Sequence, residues 1–593
     1  MVSLAALQQP VNAGGKKVLD IRARNEAIEL MKVKTYLRGD HNRPPWAKLA
    51  DELIAEAAPK KFDTVEHECR TNMFLQTWHP SINARSTLPQ SLCNMISVAK
   101  KYNVDMNPPK PDMMLKRSMP IWYHKGRSSG RRQLRTTLYT KCQREIHNIH
   151  TAGDMQDYVE TYIPPNHRTR ADCSCETCVV LRARGCQNPA QCMKSAKNTL
   201  DGLAPRWDPR TAQNGGAPQT SAFTVEETEI TKDLTTGPDL WKEYRVFGRR
   251  EIHDLPAVVD AAPDDSNIRY YICPKIVTSR RDTPKAIAGI WCPSDETSNL
   301  AVESYRPGAD IISAELEAMI TVILRSEPTV RLRFTILNIA IKKALTCNIL
   351  HNEDEGWLNH RHGDLFRILL SLIRSRPGAV TLRVVGRKES FLPEACNLAV
   401  ETDEATRIAN VPALAADARF LVDGLRLSTA TQSSLYRGIR MATKPPKERT
   451  KTATNLEKTR TEVTSISKHQ PTDEEIWNSL RRKEFDKKTR AFLWKAMHEA
   501  FKCGKYWMNI PNYEHRSRCM VCDKFDSIEH ALTECKASGQ KEIWRQAKKL
   551  WAKRGLRWKK PTYGMILGCG LASVRSREKK KVLPGASRFY TIV

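Results

Sequence analysis

Four residues towards the C-terminus, Cys519, Cys522, His530 and Cys535, are spaced C-x2-C-x7-H-x4-C. Zinc takes four thiolate or imidazole ligands in a tetrahedron, and a C-x-x-C turn presents two thiolates from one backbone bend. Ser527 is placed to cap the short helix carrying His530 and Cys535. A second cluster holds Cys173, Cys175, Cys178, Cys186 and Cys192. A tetrahedral site needs four of these five thiols, and Cys175, Cys178, Cys186 and Cys192 are the expected quartet, with Cys173 the alternative. One or two zinc ions are expected in all.

A different chemistry is suggested by Arg127, Arg131, Arg132 and Arg135, which follow Trp122 and Tyr123. Basic groups beside aromatic rings can hold phosphates and stack bases. Over the whole chain 96 Lys and Arg stand against 66 Asp and Glu, a net charge of +30 with pI about 9.6. Such a surplus favours a polyanionic partner, because each phosphate contact releases a counterion. No Tyr-x-Asp-Asp polymerase signature, P-loop or Gly-rich dinucleotide motif is present. No apolar run approaches the roughly 18–20 residues that span a bilayer, so no membrane association is expected. The first residues do not read as a signal peptide. An intracellular protein of nucleus or cytoplasm is therefore expected, where clustered cysteines bind metal more often than they form disulfides.

The elements that must position these groups fall into blocks. Residues 1–60 form a partly helical tail and 61–199 a Cys-rich irregular region with short helical pieces such as Leu92 to Tyr102. Residues 200–240 read as a linker by composition, with Asn214-Gly215-Gly216-Ala217-Pro218 at its centre. A basic linker follows at 441–470, then a small helical Cys-Cys-His-Cys domain at 471–572 and a basic tail at 573–593. In that small domain Thr472-x-x-Glu475 is a capping box. Leu493, Trp494, Met497 and Phe501, and then Ile543, Trp544, Ala547, Leu550 and Trp551, keep helical spacing.

Between the linkers, residues 241–440 alternate strand and helix patterns. Strands are expected at 268–273, 286–292, 301–305, 330–337 and 381–385, and helices at 313–324, 339–346, 364–374 and 393–405. The order is β-β-β-α-β-α-α-β-α. With Ala288-Gly289-Ile290, Ser313-Ala314-Glu315-Leu316, Gly356-Trp357, Asp364-Leu365-Phe366 and Ala395-Cys396-Asn397-Leu398-Ala399, this block resembles a ribonuclease H-like domain. The resemblance implies an α/β fold, a mixed sheet with flanking helices. The small C-terminal domain resembles the zinc-binding region of non-LTR retrotransposon polyproteins. Gly185-Cys186-x-Asn188-Pro189 and Thr77-Trp78-His79-Pro80-Ser81-Ile82 look like segments of fungal transposon-derived proteins.

Members of the ribonuclease H family cut the RNA of an RNA–DNA hybrid with two Mg²⁺ held mainly by four carboxylates. Hard Mg²⁺ demands oxygen ligands. In this sequence the matching positions are Cys273 (or its neighbour Ile272), Glu315, Leu337 and Cys396, so Glu315 alone is an acid. Asp282, Asp310 and Glu394 lie nearby without matching a family position. The resemblance therefore implies a retroelement-derived protein that binds nucleic acid (hybrid or duplex, with low specificity) and does not cleave it. One alternative is a hybrid ribonuclease using unaligned carboxylates, which would need magnesium; another is an interaction scaffold or relic.

Overall fold

The computed structural model describes residues 2–39, 41–60, 67–83, 86–106, 108, 111–127, 137–161, 164–211, 227–232, 239–248, 266–277, 285–306, 308–386, 388–402, 408–409, 416–443, 449–467, 470–537, 539–553 and 558–571. They divide into two compact units. One spans Arg22–Ile276 and Ala286–Thr443; the other combines the N-terminal segment through Ile21 with the residues after 443.

The first unit is mixed α/β. Its larger sheet contains β1 (Thr228–Glu229), β2 (Asn267–Val277), β3 (Lys285–Trp291), β4 (Leu300–Ser304), β5 (Arg331–Ile336), β6 (Val380–Val384) and β7 (Ile408–Ala409), in the order β1-β6-β5-β2-β3-β4-β7. β2 pairs parallel with β5, and β5 with β6, while β3 and β4 are antiparallel. A parallel pair needs a crossover, and helix Ile311–Arg325 supplies the one leading to β5, while Gly363–Ser375 leads to β6. Asp310 starts the first of these helices by accepting the amides of Ile312 and Ser313. The apolar stripe Leu316, Met319, Ile320 and Ile323 is buried with Leu332, Phe334, Leu369 and Leu382 in one core.

All nine expected elements of this block form, with ends shifted by one to four residues. Gly289 shows why small residues occupy β3. A Cβ there would lie 1.8 Å from the Ala395 carbonyl oxygen, so only glycine lets helix Leu392–Glu401 approach the sheet this closely.

The expected boundaries are corrected in four places. Among the described residues, 61–199 forms the expected helical piece near 92–102 and is far more helical beyond it than expected. Helices Gln90–Lys101, Leu138–Glu145, Ala152–Val159, Glu176–Ala183 and Pro189–Leu200 share a core with Ile21–Tyr36 and Pro45–Glu56. That core also takes Tyr244, Val246, Leu425, Leu435 and Ile439, so the ends of the 241–440 block belong to it. Within the 200–240 linker, β1 adds to the sheet edge beside β6, and the preceding Glu227 is buried between Arg269 and Arg333.

The basic linker contains helix Thr450–Ser467, whose buried face runs through Thr452, Leu456, Thr459 and Val463. Its apolar stripe is two residues wide and otherwise built from small polar side chains, so composition concealed it. Gly564 admits this close packing: a Cβ there would meet the Lys458 carbonyl oxygen at 2.4 Å.

In the second unit the capping box holds, with Thr472 and Glu475 bonding each other's backbone at the start of Asp473–Ser479. Trp494 Nε1 and His498 Nε2 lie 2.8 and 3.0 Å from the Gly14 carbonyl oxygen, which anchors the N-terminal segment here. Ala547 and Trp551 of helix Gln540–Ala552 are buried as expected, whereas Ile543 and Leu550 are exposed. Among the described residues no helix is long and apolar enough to cross a membrane.

Candidate functional site

The four positions singled out in the central block converge at one end of the sheet. Cys273 lies on β2, Leu337 directly follows β5, Glu315 sits in the second turn of helix 311–325, and Cys396 is on helix 392–401. Cys273 and Cys396 are joined by a disulfide across 123 residues of sequence. Leu337, Tyr271, Leu392 and Ala395 pack around them. Phe391 stacks on Trp291 at 4.7 Å between ring centres and meets Tyr271 edge-on at 5.4 Å, adding an aromatic cluster beside the disulfide. Cys273 and Cys396 stand outside the clusters expected to bind metal, and they are paired as a disulfide. Packing on Gly289 brings helix 392–401 onto the sheet, and the two sulfurs meet.

Glu315 is fully buried. Its Oε1 accepts the Leu337 N–H at 2.8 Å, and Oε2 is buried with no hydrogen-bond partner. Burial pushes its carboxyl up to about 7, against the downward pull of the Leu337 and Asn338 amides. Among the described residues it belongs to no group of three or more potential metal ligands. Asp310 is occupied as a helix cap and lies 3.0 Å from His362 Nε2, and Glu394 is exposed. Asp282 lies outside the described residues, and among the described ones Glu315 presents a single unpartnered carboxylate oxygen within an apolar, disulfide-bridged environment. Such an environment does not suit Mg²⁺.

A direct expectation follows for Glu315→Gln. The folded protein holds the Glu315 proton up to about pH 7, whereas an unfolded glutamate releases it near 4.5. Stability from this group is complete below about pH 4.5 and is lost as pH rises through 7. Glutamine keeps an acceptor for Leu337 N–H and carries no charge. The variant should gain on the order of 2–3 kcal/mol at pH 8 and little at pH 4.5. Urea unfolding at the two pH values reads this, and a variant less stable than wild type at pH 8 would contradict the buried-carboxyl assignment.

In the second unit Cys519, Cys522, His530 and Cys535 come together as the spacing requires. The Cys519 amide bonds the Lys524 carbonyl at 2.8 Å, closing the turn that presents Cys519 and Cys522. Ser527 Oγ accepts the His530 amide at 2.9 Å, the expected cap, and His530–Glu534 forms a single π-helical turn. The sulfurs are 3.5–3.7 Å apart and His530 Nε2 is 3.1 Å from Cys522 Sγ. His530 Nδ1, the ring nitrogen turned away from the sulfurs, is buried with no hydrogen-bond partner, the nearest Glu534 oxygen lying 3.6 Å away. This group can hold a metal ion such as zinc.

The N-terminal quartet is corrected. Cys175 and Cys178 gather with Cys173 and His167, whereas Cys186 and Cys192 gather with Cys142 and His147. Helix Glu176–Ala183 lies between the two pairs of expected partners and carries Cys178 away from Cys186. Sequence spacing missed His167, Cys142 and His147, none of which falls in a short Cys-x-x-Cys pattern with its partners.

The basic candidates are corrected as well. Trp122 and Tyr123 are buried, with Trp122 Nε1 donating to the Ile149 carbonyl at 2.7 Å and the Arg144 guanidinium 5.3 Å from the ring. They are core residues and offer no stacking surface. Arg127 is half-buried, with its backbone bridged to Leu203. Arg131, Arg132 and Arg135 lie outside the described residues.

No protein-family model matches the chain, and no curated protein matches it.

Proposed function

We propose that this protein binds nucleic acid without cleaving it, using a ribonuclease H-like sheet as scaffold and the Cys/His-bearing C-terminal region as contact surface. The observation that carries the reading is the chemistry around the C-terminal Cys/His group. Residues 444–593 hold 35 Lys and Arg against 16 Asp and Glu. Beside the Cys519–Cys522 turn, Met520, Val521, Phe525 and Tyr513 are exposed next to exposed Arg516, Arg518 and Lys524. Arg516 lies 5.2 Å from the Trp507 ring centre and 5.0 Å from that of Tyr513. Cations on phosphates and rings on bases give affinity with little sequence preference.

Two observations support the ribonuclease H-like reading of the sheet: its order, with β2 central and β5 and β6 parallel beside it, and the meeting of the four family positions at one end. The sealed, disulfide-bridged state of that end supports binding without cleavage. Descent from a retroelement rests on the sequence resemblance.

Fluorescence anisotropy with labelled duplex, RNA–DNA hybrid and single-stranded RNA between 50 and 300 mM KCl tests the proposal. Affinity should fall linearly on a log–log salt plot for all three. Replacing Arg516, Arg518 and Lys524 together by alanine should shallow the duplex slope by about 2–3, since each phosphate contact contributes roughly 0.9. Absence of binding, or binding indifferent to salt, would sink the reading. The hybrid should stay intact with Mg²⁺ or Mn²⁺; cleavage that Glu315→Gln abolishes would establish the ribonuclease alternative instead.

A further inference from the structure

We propose that residues 142–192 hold two zinc ions in nested sites, an inner one formed by His167, Cys173, Cys175 and Cys178 and an outer one formed by Cys142, His147, Cys186 and Cys192. In each set the four donor atoms lie within 4.8 Å of one another.

The inner set has the geometry of an ion's coordination shell. His167 Nδ1 is 3.4 Å from Cys178 Sγ, 3.5 Å from Cys175 Sγ and 3.6 Å from Cys173 Sγ. A tetrahedral zinc with bonds of about 2.3 Å to sulfur and 2.0–2.1 Å to nitrogen puts its sulfur–nitrogen edges at about 3.6 Å. Hydrogen bonding does not account for the arrangement, because a neutral imidazole nitrogen has one lone pair or one proton and cannot engage three thiols equally. The Arg168 amide points at Cys173 Sγ at 3.2 Å, a contact that stabilises a thiolate.

The outer set is assembled by packing. Cys142 comes from helix Leu138–Glu145, Cys192 from helix Pro189–Leu200, and Cys186 from the turn before the latter. Gln143 Nε2 donates to the Cys192 carbonyl at 2.9 Å, which fixes the two helices side by side. The Cys142 thiol touches those of Cys186 and Cys192, and Cys186 touches His147. His147 Nε2 lies 3.3 Å from the Tyr158 hydroxyl, which leaves Nδ1 for the metal. All four sulfur and imidazole donors of the outer set are at least partly buried. Every inner ligand falls between His147 and Cys186 in sequence, so the outer ion closes a loop that contains the inner one. The inner site, complete within residues 167–178, does not depend on that closure.

Zinc counting on the full chain, purified under a non-chelating phosphine reductant, decides the matter. Wild type should carry three zinc ions per chain, one of them lost in Cys522→Ser and thereby assigned to the C-terminal group. Cys142→Ser/His147→Ala should lose one ion, and Cys175→Ser should lose a different one, so that combining the two changes removes both. Fewer than two ions retained in Cys522→Ser overturns the proposal, as does a pattern in which Cys175→Ser and Cys192→Ser remove the same ion while Cys142→Ser removes none. Cobalt replacement gives a readout that needs no ligand deletion. His167→Cys should keep the metal count and add thiolate-to-cobalt charge-transfer intensity; an unchanged spectrum overturns the inner site.

Discussion

Reducing the Cys273–Cys396 disulfide is expected to cost the sheet-containing unit about 4–5 kcal/mol. The two cysteines are 123 residues apart in sequence. In the chain-entropy view a cross-link stabilises by restricting the unfolded chain, and a loop of this length is worth about 4.7 kcal/mol or slightly more. The loop includes β3 to β6 and both crossover helices, so the unfolded ensemble of the whole α/β core is constrained. Urea unfolding followed with and without a phosphine reductant should show one transition move to lower urea. Cys273→Ala/Cys396→Ala should sit at the reduced position in both conditions. The other fifteen cysteines are free thiols, so thiol counting under denaturing, non-reducing conditions should find fifteen. Seventeen, or a wild-type transition indifferent to reductant, would remove the disulfide from the account. Because the chain has two units, the transition has to be followed by a probe in the sheet-containing unit, such as Trp291 on β3 or Trp357 in its core, and not by a single global signal.

The second large effect is expected at Glu353, on helix Ile349–Asp354, which forms a buried ion pair with Arg374. Arg374, on helix 363–375, donates to both oxygens of Glu353 at 2.7 and 3.1 Å, and both side chains are buried. Arg374 also donates to the Phe420 carbonyl at 3.2 Å. Removing one partner of such a pair leaves an uncompensated charge away from water, a loss of about 3–5 kcal/mol. Glu353→Ala should therefore lower the unfolding midpoint of this unit as much as disulfide reduction does. Exchanging both residues for apolar ones, Glu353→Leu/Arg374→Met, should recover most of the loss, because the desolvation cost leaves with the charges. If the double variant is no better than Glu353→Ala, the pair acts through shape and not through charge.

Much of the central block was legible because its signals are local. Val330 to Leu337 reads as a buried strand and Leu316, Ile320 and Leu324 repeat at helical spacing, so element type follows from a window of a few residues. The same holds for Thr472 and Glu475, whose reciprocal cap spans four residues, and for Cys519, Cys522, His530 and Cys535, which need only one hairpin and one turn to meet. Leu324 nonetheless proved exposed and Leu345, Ile349 and Trp357 buried, since periodicity marks a face without saying how far the neighbouring layer extends.

Burial by distant elements and a polar buried face are both invisible to local pattern. Trp122 and Tyr123 beside a run of arginines look like a binding surface until the helices around Ile149 cover them. The helix at 450–467 was hidden because its buried face is largely threonine and asparagine, residues that loops also favour. The sequence by itself therefore determined the strand and helix order of the α/β block, the basic surplus and the grouping of Cys519, Cys522, His530 and Cys535. Only the tertiary structure decided that Cys273 and Cys396 bond each other, that Glu315 is sealed against Leu337, and that Cys142 and His147 join Cys186 and Cys192. Those pairings span from 22 to 123 residues, far beyond the few-residue window in which periodicity and capping can be read. They exist because apolar faces pack in one way and carry their side chains with them.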